Sequence, residues 1–523
     1  MRLISNEYKT NIVEFFLDDV AINDYYIFAS TIDSEVILTN TVADKKEFLN
    51  KTIFGKKVDS SDALPMIKNY LWRPEEVFDQ YDDNVDLTNK KFYAVVYPEN
   101  SNTGTYLVFK CLFNNYGQTS EVAPFYDPEV GDQIYNTADG YVWKFMYSLS
   151  IQDFDKYSAF GYVPVIEANT SVVDSKSISH IEIENANLNF GYETFTGTIR
   201  EVNNEELILV AGNGTTLNPF TNFYRGQTLY VTDTNNVSRL YSILTYRYSA
   251  GTGTGRMTVE NLDSFIEPGS TYRILPKIEI NGDGYDASAI PIIDAGQIKK
   301  IIMLNKGYGY NSATARVIDP EFDFNPGNLN TSDERAIIRP ILAPGEGHAM
   351  NISRELYCNS ALLYAGITEA DNIAGVIPSV NTYARIGVVK NPEFKISPSP
   401  ITFDNRIYAE FETQNFFQEN DRAIQTDELT SDITFEAIVH ETANNAVYLA
   451  EYMGAYKNRE NTDVSFDPDL PLRNELNQIY VINNSIISNY VQRTGEVIYI
   501  ASFTAPVFRD DESREQYKVI LQF

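Results

Sequence analysis

The chain has 523 residues, with 41 Lys and Arg against 72 Asp and Glu, giving a formal net charge of −31. A hydrophobic fraction of 43% beside 22% charged residues belongs to a globular chain rather than a disordered one. No basic stripe offers the clustered positive charge that a phosphate backbone demands, and no run approaches the roughly 18 apolar residues of a membrane helix, so neither nucleic acid nor membrane is an expected partner.

The first residues, from Met1 to Glu7, lack the apolar stretch of a signal peptide, so a soluble protein made in a cytoplasm is expected. The 36 Tyr and 30 Phe, against 2 Trp and 7 Met, favour β-structure, where aromatics pack on pleated surfaces. Residues 7–20 predict a short amphipathic helix capped at Thr10 or Asn11, with Ile12, Phe15, Phe16 and Val20 inward. A strand follows over 25–31. Residues 64–70 read as a second helix, ended near Arg73-Pro74 because the residue before proline avoids the helical region. Asp82, Asp83 and Asp86 read as a solvated loop. A strand over 92–97, a loop over 98–104 and a returning strand over 105–113 come next, followed by turn chemistry in Asn114-Asn115-Tyr116-Gly117. The densest aromatic cluster runs from Asp139 to Tyr147 and reads as a buried strand entered through a tight turn at Gly140. A platform for stacking a sugar or base on Trp143 would need polar donors around it. Its neighbours are apolar.

Residues 166–335 read as many short strands, at 206–210, 228–231, 240–246, 256–259 and 272–275, parted by Gly, Asn and Thr turns. Within them Gly282-Asp283-Gly284-Tyr285-Asp286 and its strand to Asp294 repeat as Gly307-Tyr308-Gly309-Tyr310-Asn311 running to Asp319. Two copies are too few for a solenoid and are expected to form paired hairpins. Asn281, Asp283 and Asp286 have the spacing of part of a calcium loop. The bidentate Glu is missing and Ala289-Ile290-Pro291 break the pattern, which leaves a polar turn and no expected metal or cofactor. Cys111 and Cys358 are expected to be buried, reduced thiols, and with His180, His348 and His440 they make no zinc spacing. No nucleophile elbow, phosphate loop or dinucleotide fingerprint is present. His348, after Gly345-Glu346-Gly347, is a candidate base with no Ser or Cys in a recognisable context beside it, so a loop histidine is expected. Residues 411–490 form a further expansion with helical character near 445–456.

The chain closes with two strands, at 494–500 and 516–523, about a polar turn over 509–515. Tyr517, Val519, Leu521 and Phe523 alternate onto one face, as a half-buried strand requires. This ending (Thr494-Gly495-Glu496-Val497-Ile498-Tyr499, a polar turn, an apolar strand to Phe523) joins two earlier blocks. They are Asp139-Gly140-Tyr141-Val142-Trp143 and Tyr383-Ala384-Arg385-Ile386-Gly387-Val388-Val389-Lys390-Asn391-Pro392. The three together resemble the gene-product-eight family, the baseplate wedge proteins of T-even-type contractile-tailed phages, and they occur in the family's order. The resemblance covers roughly the first 165 residues and much of 335–410 and 490–523.

The resemblance implies an all-β fold with minor α content: a layered β-sandwich with short peripheral helices and an inserted β-rich domain. It implies five segments: 1–165 in the core, 166–335 inserted, 336–410 returning to the core, 411–490 a second insertion, and 491–523 closing the core. Asp139, Gly140, Tyr141, Trp143, Arg385, Gly387, Pro392, Gly495, Tyr499 and Phe523 are then structural motif positions. The implied role is a structural virion protein of the tail baseplate, assembled in the host cytoplasm and without enzymatic activity. Its implied partners are a second copy of itself in a homodimer and other wedge proteins around the tail hub. The long middle and the 411–490 expansion depart from the family pattern. A carbohydrate-binding or glycan-hydrolysing β-protein, such as a tail-fibre component, is the alternative that a Tyr-rich acidic β-chain also suits.

Overall fold

A computed structural model describes the chain except for residues 1–4, 32–40, 131–132, 167–175, 186–188, 204–205, 319–334, 346, 370, 372–380, 453–455, 458–462, 465 and 510–511. Asp319 and Glu346, named above, lie outside the described residues, as do residues 510–511 of the polar turn and the start of the chain. The protein is mostly β, as expected. It divides into two units, one made of Met1–Lys68, Asp153–Val165 and Tyr357–Phe523, the other of Asn69–Gln152 and Ile166–Leu356. Residues 69–152 therefore group with the inserted middle rather than with the N-terminal core segment.

The first unit holds a β-sandwich. One sheet has the strand order Thr402–Asp404, Thr52–Lys57, Tyr25–Ser30, Asn381–Lys390, Glu496–Arg509, with every pair antiparallel. The other has the order Glu515–Gln522, Ser360–Ile367, Ala63–Lys68, Tyr162–Pro164. Ile27 and Val388 from the first sheet meet Leu363, Tyr517 and Val519 from the second in one core. Each such buried side chain contributes about 1.5–3 kcal/mol. The register Leu363↔Val519 and Ala365↔Tyr517 keeps the alternating apolar residues of the last strand on the core side, where a one-residue slip would turn them all outward.

Several local expectations are corrected here. The first helix spans Asn6–Ile22 and is capped by Ser5, whose hydroxyl accepts from the Tyr8 N–H. Thr10 lies inside it, fully buried, and donates to the Cys358 carbonyl at 2.8 Å. Val13 and Val20 face inward, whereas Phe15 is 72% exposed. The segment expected as a second helix is the strand Ala63–Lys68, because pairing on both sides with Ser360–Ile367 and Tyr162–Pro164 satisfies its backbone. The 411–490 region carries most of a seven-stranded sheet with its own core of Phe411, Phe435, Val447 and Leu449. Ala446–Ala450 is a strand there, not a helix, held between Ile407–Phe411 and Ile433–Ala443. The two C-terminal strands do not pair with each other. They sit in opposite sheets of the sandwich.

In the second unit Tyr93–Val96, Tyr106–Phe113, Val142–Leu149 and Ile134–Asn136 form one sheet, as the strand–turn–strand reading anticipates. The five middle strands read from sequence belong to a closed barrel of Phe195–Asn203, Glu206–Ala211, Thr254–Val259, Ser238–Ser249, Thr228–Thr232 and Thr271–Leu275. Its last strand pairs back with its first, Phe195↔Ile274, so no sheet edge is left open. Leu209, Leu229, Ile243, Met257 and Tyr272 fill it.

The two-copy repeat does not form paired hairpins. Its copies mark the passage from Lys277–Gly282 to Tyr285–Asp294 and from Gln297–Tyr308 to Ala313–Ile318, and they lie side by side. The outer two strands pair with each other, as do the inner two. Asp283 of the first copy accepts from the Asn311 and Ser312 N–H groups of the second, both at 2.9 Å. Positive φ falls on Gly307 and Gly309 in the second copy but on Asp286 in the first.

Candidate functional site

The motif residues fall into two groups. Asp139, Gly140, Tyr141 and Trp143 lie in the second unit. Gly140 turns at φ +86°, and a Cβ there would meet Asn115 Nδ2 at 2.8 Å. The Asp139 carboxylate accepts from the Thr137 hydroxyl and from the Glu121 and Val122 N–H groups at 2.8 and 3.0 Å. Burial raises its pKa, but the Thr137 hydroxyl and these N–H groups outweigh burial and hold it below the usual carboxylate range. Trp143 is fully buried and stacked on Tyr141 at 5.4 Å, with Phe78 at its edge. This is core, as read from sequence.

Arg385, Gly387 and Tyr499 lie in the strand pair Asn381–Lys390 and Glu496–Arg509, and Pro392 and Gly495 meet just beyond one end of it. A Cβ on Gly387 would lie 2.6 Å from the Phe48 ring and 2.8 Å from the Tyr499 carbonyl. Gly495, at φ +94°, packs against Val389 and Pro392. Phe523 lies at the end of the opposite sheet, its ring 5.6 Å from Phe16.

The reading of the acidic loop needs correction. Asp82 is not solvated: it is buried and accepts from Arg339 Nη1 and Nη2 at 3.0 and 2.5 Å. Asp83 accepts from the Leu342 N–H, while Asp86 stays exposed and accepts from Thr88.

His348 lies in a loop, as read from sequence, but it does not face solvent. It is fully buried, with Nε2 2.6 Å from Ser179 Oγ and Nδ1 2.8 Å from Glu355 Oε1. Lys110 Nζ lies 2.6 Å from the same carboxylate and 3.4 Å from the centroid of the Tyr81 ring, and the Ala349 N–H donates to Glu355 Oε2 at 2.6 Å. Burial opposes ionisation of Glu355, yet Lys110 and His348 prevail and hold its pKa low. Burial likewise pulls Lys110 down.

Serine, imidazole and carboxylate stand in the order of a nucleophilic triad. Ser179, however, sits inside the strand Ile178–Ile183 at 6% exposure, without the sharp strand-to-helix turn that presents such a nucleophile. The network joins three segments far apart in sequence. Sequence reading missed it because Ser179 and His348 are 169 positions apart and Lys110 and Glu355 are 245 apart. Adjacent His180 has no hydrogen-bond partner on either ring nitrogen, and burial holds it at about 3.

The first unit carries an open apolar groove of about 720 Å3 along one side of the sandwich. Tyr499, Ala501 and Phe503 of the Glu496–Arg509 strand form one wall, and Tyr517 and Val519 of the opposite sheet form the other. Tyr499 and Phe503 are each 40% exposed, and Phe160 at the mouth is 83% exposed. Among the described residues the Glu496–Arg509 strand pairs on one side only, so its other edge offers unpaired backbone groups beside an aromatic wall. Tyr499 was singled out from sequence. Phe503 and Phe160 were not, since exposed aromatics carry no periodic signal of their own.

Among the described residues no group of three or more His, Cys, Asp or Glu could hold a metal ion, and no helix is long and apolar enough to cross a membrane. No protein-family model matches this chain, and no curated protein is significantly similar to it.

Proposed function

We propose that this chain is a structural virion protein, a wedge subunit of a contractile phage tail baseplate, acting through its surfaces rather than through a reaction centre. The observation that carries the reading is the ordered set of three sequence blocks resembling the wedge family. Two of those blocks interlock in a single strand pair, Gly387 against the Tyr499 backbone and Gly495 against Pro392. The groove flanked by exposed Tyr499 and Phe503 supports it, because aromatic anchors beside an open strand edge suit assembly with other chains. In this role the protein pairs with a second copy and packs against other wedge proteins around the tail hub. The net charge of −31 keeps aromatic-rich subunits apart until they meet their partners.

Mass spectrometry of purified phage particles from the source of this sequence tests the reading. The expected result is the chain in intact virions and in isolated baseplates. Particles that lack it, together with binding on a glycan array, would overturn the reading in favour of carbohydrate recognition.

A further inference from the structure

The outer face of the sandwich sheet that ends in Glu496–Arg509 carries a row of polar residues in register. Thr52 pairs with Ser30, Ser30 with Arg385, and Arg385 with Ser502. Thr52, Ser30 and Arg385 are buried, and Ser502 at the end of the row is exposed. Nε and both Nη atoms of Arg385 have no hydrogen-bond partner. Its nearest carboxylate is Glu47, at 3.5 Å from Nη1, and Glu47 also lies 3.8 Å from Lys51. A buried guanidinium that makes no hydrogen bond, and whose one ion pair is a 3.5 Å contact shared with Lys51, is costly unless a closer anion is to be supplied. Bidentate carboxylate is the partner whose geometry fits it.

We propose that the free edge of Glu496–Arg509 is a strand-addition site for an extended segment of another protein chain, and that Arg385 receives an acidic side chain from that segment. A strand laid along this edge alternates its side chains between the two faces of the sheet. On the inner face apolar residues enter the groove over Tyr499, Ala501 and Phe503. On the outer face one residue stands beyond Ser502 in the row. Two strand spacings, roughly 10 Å, then separate its backbone from that of Arg385. An arginine and a glutamate side chain span that interval between them, with the Ser502 hydroxyl alongside. The segment recognised is therefore apolar on alternate residues, with Asp or Glu at the position opposite Ser502. Elsewhere an acidic segment meets a chain of net charge −31, so a cation without hydrogen-bond partners at one row sets both register and selectivity. The proposal does not rest on the virion reading, since it concerns binding by the isolated protein.

Fluorescence anisotropy with a fluorescein-labelled heptapeptide, Ile-Thr-Val-Glu-Val-Thr-Ile, tests it against the same peptide with lysine at the centre. The expected result is binding of the glutamate probe at least about tenfold tighter than the lysine probe. Arg385→Gln should erase that preference. Ser502→Glu, at an exposed position that leaves the core intact, should erase it too by supplying Arg385 with a carboxylate from its own sheet. Phe503→Asp should weaken both probes. Equal affinity for the two probes, or a preference that survives Ser502→Glu, overturns the proposal. So does absence of binding alongside self-association that Phe503→Asp dissolves, which would make a second copy the occupant of the edge.

Discussion

His180 and Glu355 are both held deprotonated in the fold, His180 as a neutral imidazole with buried ring nitrogens and Glu355 as a buried, paired carboxylate. His180 is neutral in the folded protein because burial holds its pKa at about 3, while an unfolded imidazole takes a proton near 6.5. Between these values the unfolded state binds more protons, so stability is full above pH 6.5 and falls as pH drops towards 3. The loss at the acid end of this window is roughly 4 kcal/mol for one such group. His440, held at about 4 by burial and by Arg406, adds a smaller loss in the other unit over the same direction of pH. Urea unfolding at a series of pH values from 7 to 4 should show this decline, and His180→Phe should flatten it; an unchanged slope in the variant would mean that His180 finds a partner. Glu355 instead binds Lys110, His348 and the Ala349 N–H as a carboxylate. Glu355→Gln leaves the buried Lys110 ammonium without its counter-charge and should destabilise by about 3–5 kcal/mol. Adding Lys110→Met should restore part of that loss, which a double-mutant cycle reads directly.

At the scale of elements, the final strand Glu515–Gln522 makes the clearest case. It pairs along Ser360–Ile367, and its Tyr517 and Val519 complete the sandwich core with Leu521 packed against them. Deleting residues 516–523 removes at least two fully committed core side chains and opens the edge of Ser360–Ile367, a strand buried along nearly its whole length. At about 1.5–3 kcal/mol per buried side chain, set against a typical domain stability of about 5–15 kcal/mol, truncation should abolish soluble protein. Lys518→Ala should be mild, because its ammonium only donates to the Asp155 and Ser158 carbonyls near the surface. A soluble, cooperatively melting truncation would mean that the sandwich closes without its last strand.

At the scale of the whole molecule, the barrel of residues 195–275 is a self-contained insertion. Its first and last strands pair, so the chain enters and leaves at neighbouring points, and its core draws on its own strands and loops. Replacing 195–275 by a short Gly/Ser linker should leave the remaining chain folded, since loop closure costs little more for a long loop than for a short one. The excised segment should fold alone, with a β-type circular dichroism spectrum and a single cooperative melt. A segment that is unstructured when isolated would show that the barrel depends on the rest of its unit.

Alternation with a period of two and the turn-forming stretches at Asn114–Gly117 and Gly140 are local properties, and by themselves they determine the all-β class and most strand positions. The five barrel strands and Tyr517, Val519 and Leu521 are legible for that reason: a half-buried strand writes its burial into its own sequence. Pairing is not local. The last two strands are neighbours in the chain, set about one polar turn, yet each finds its hydrogen-bonded partner in a different sheet. The stretches that look helical by composition hold the strands Ala63–Lys68 and Ala446–Ala450, because flanking strands satisfy their backbone on both sides. The same limit hides the Ser179–His348–Glu355–Lys110 centre and the buried Arg385 guanidinium that makes no hydrogen bond. A polar side chain records its own chemistry, but whether it is buried and what stands against it are fixed only when distant segments pack.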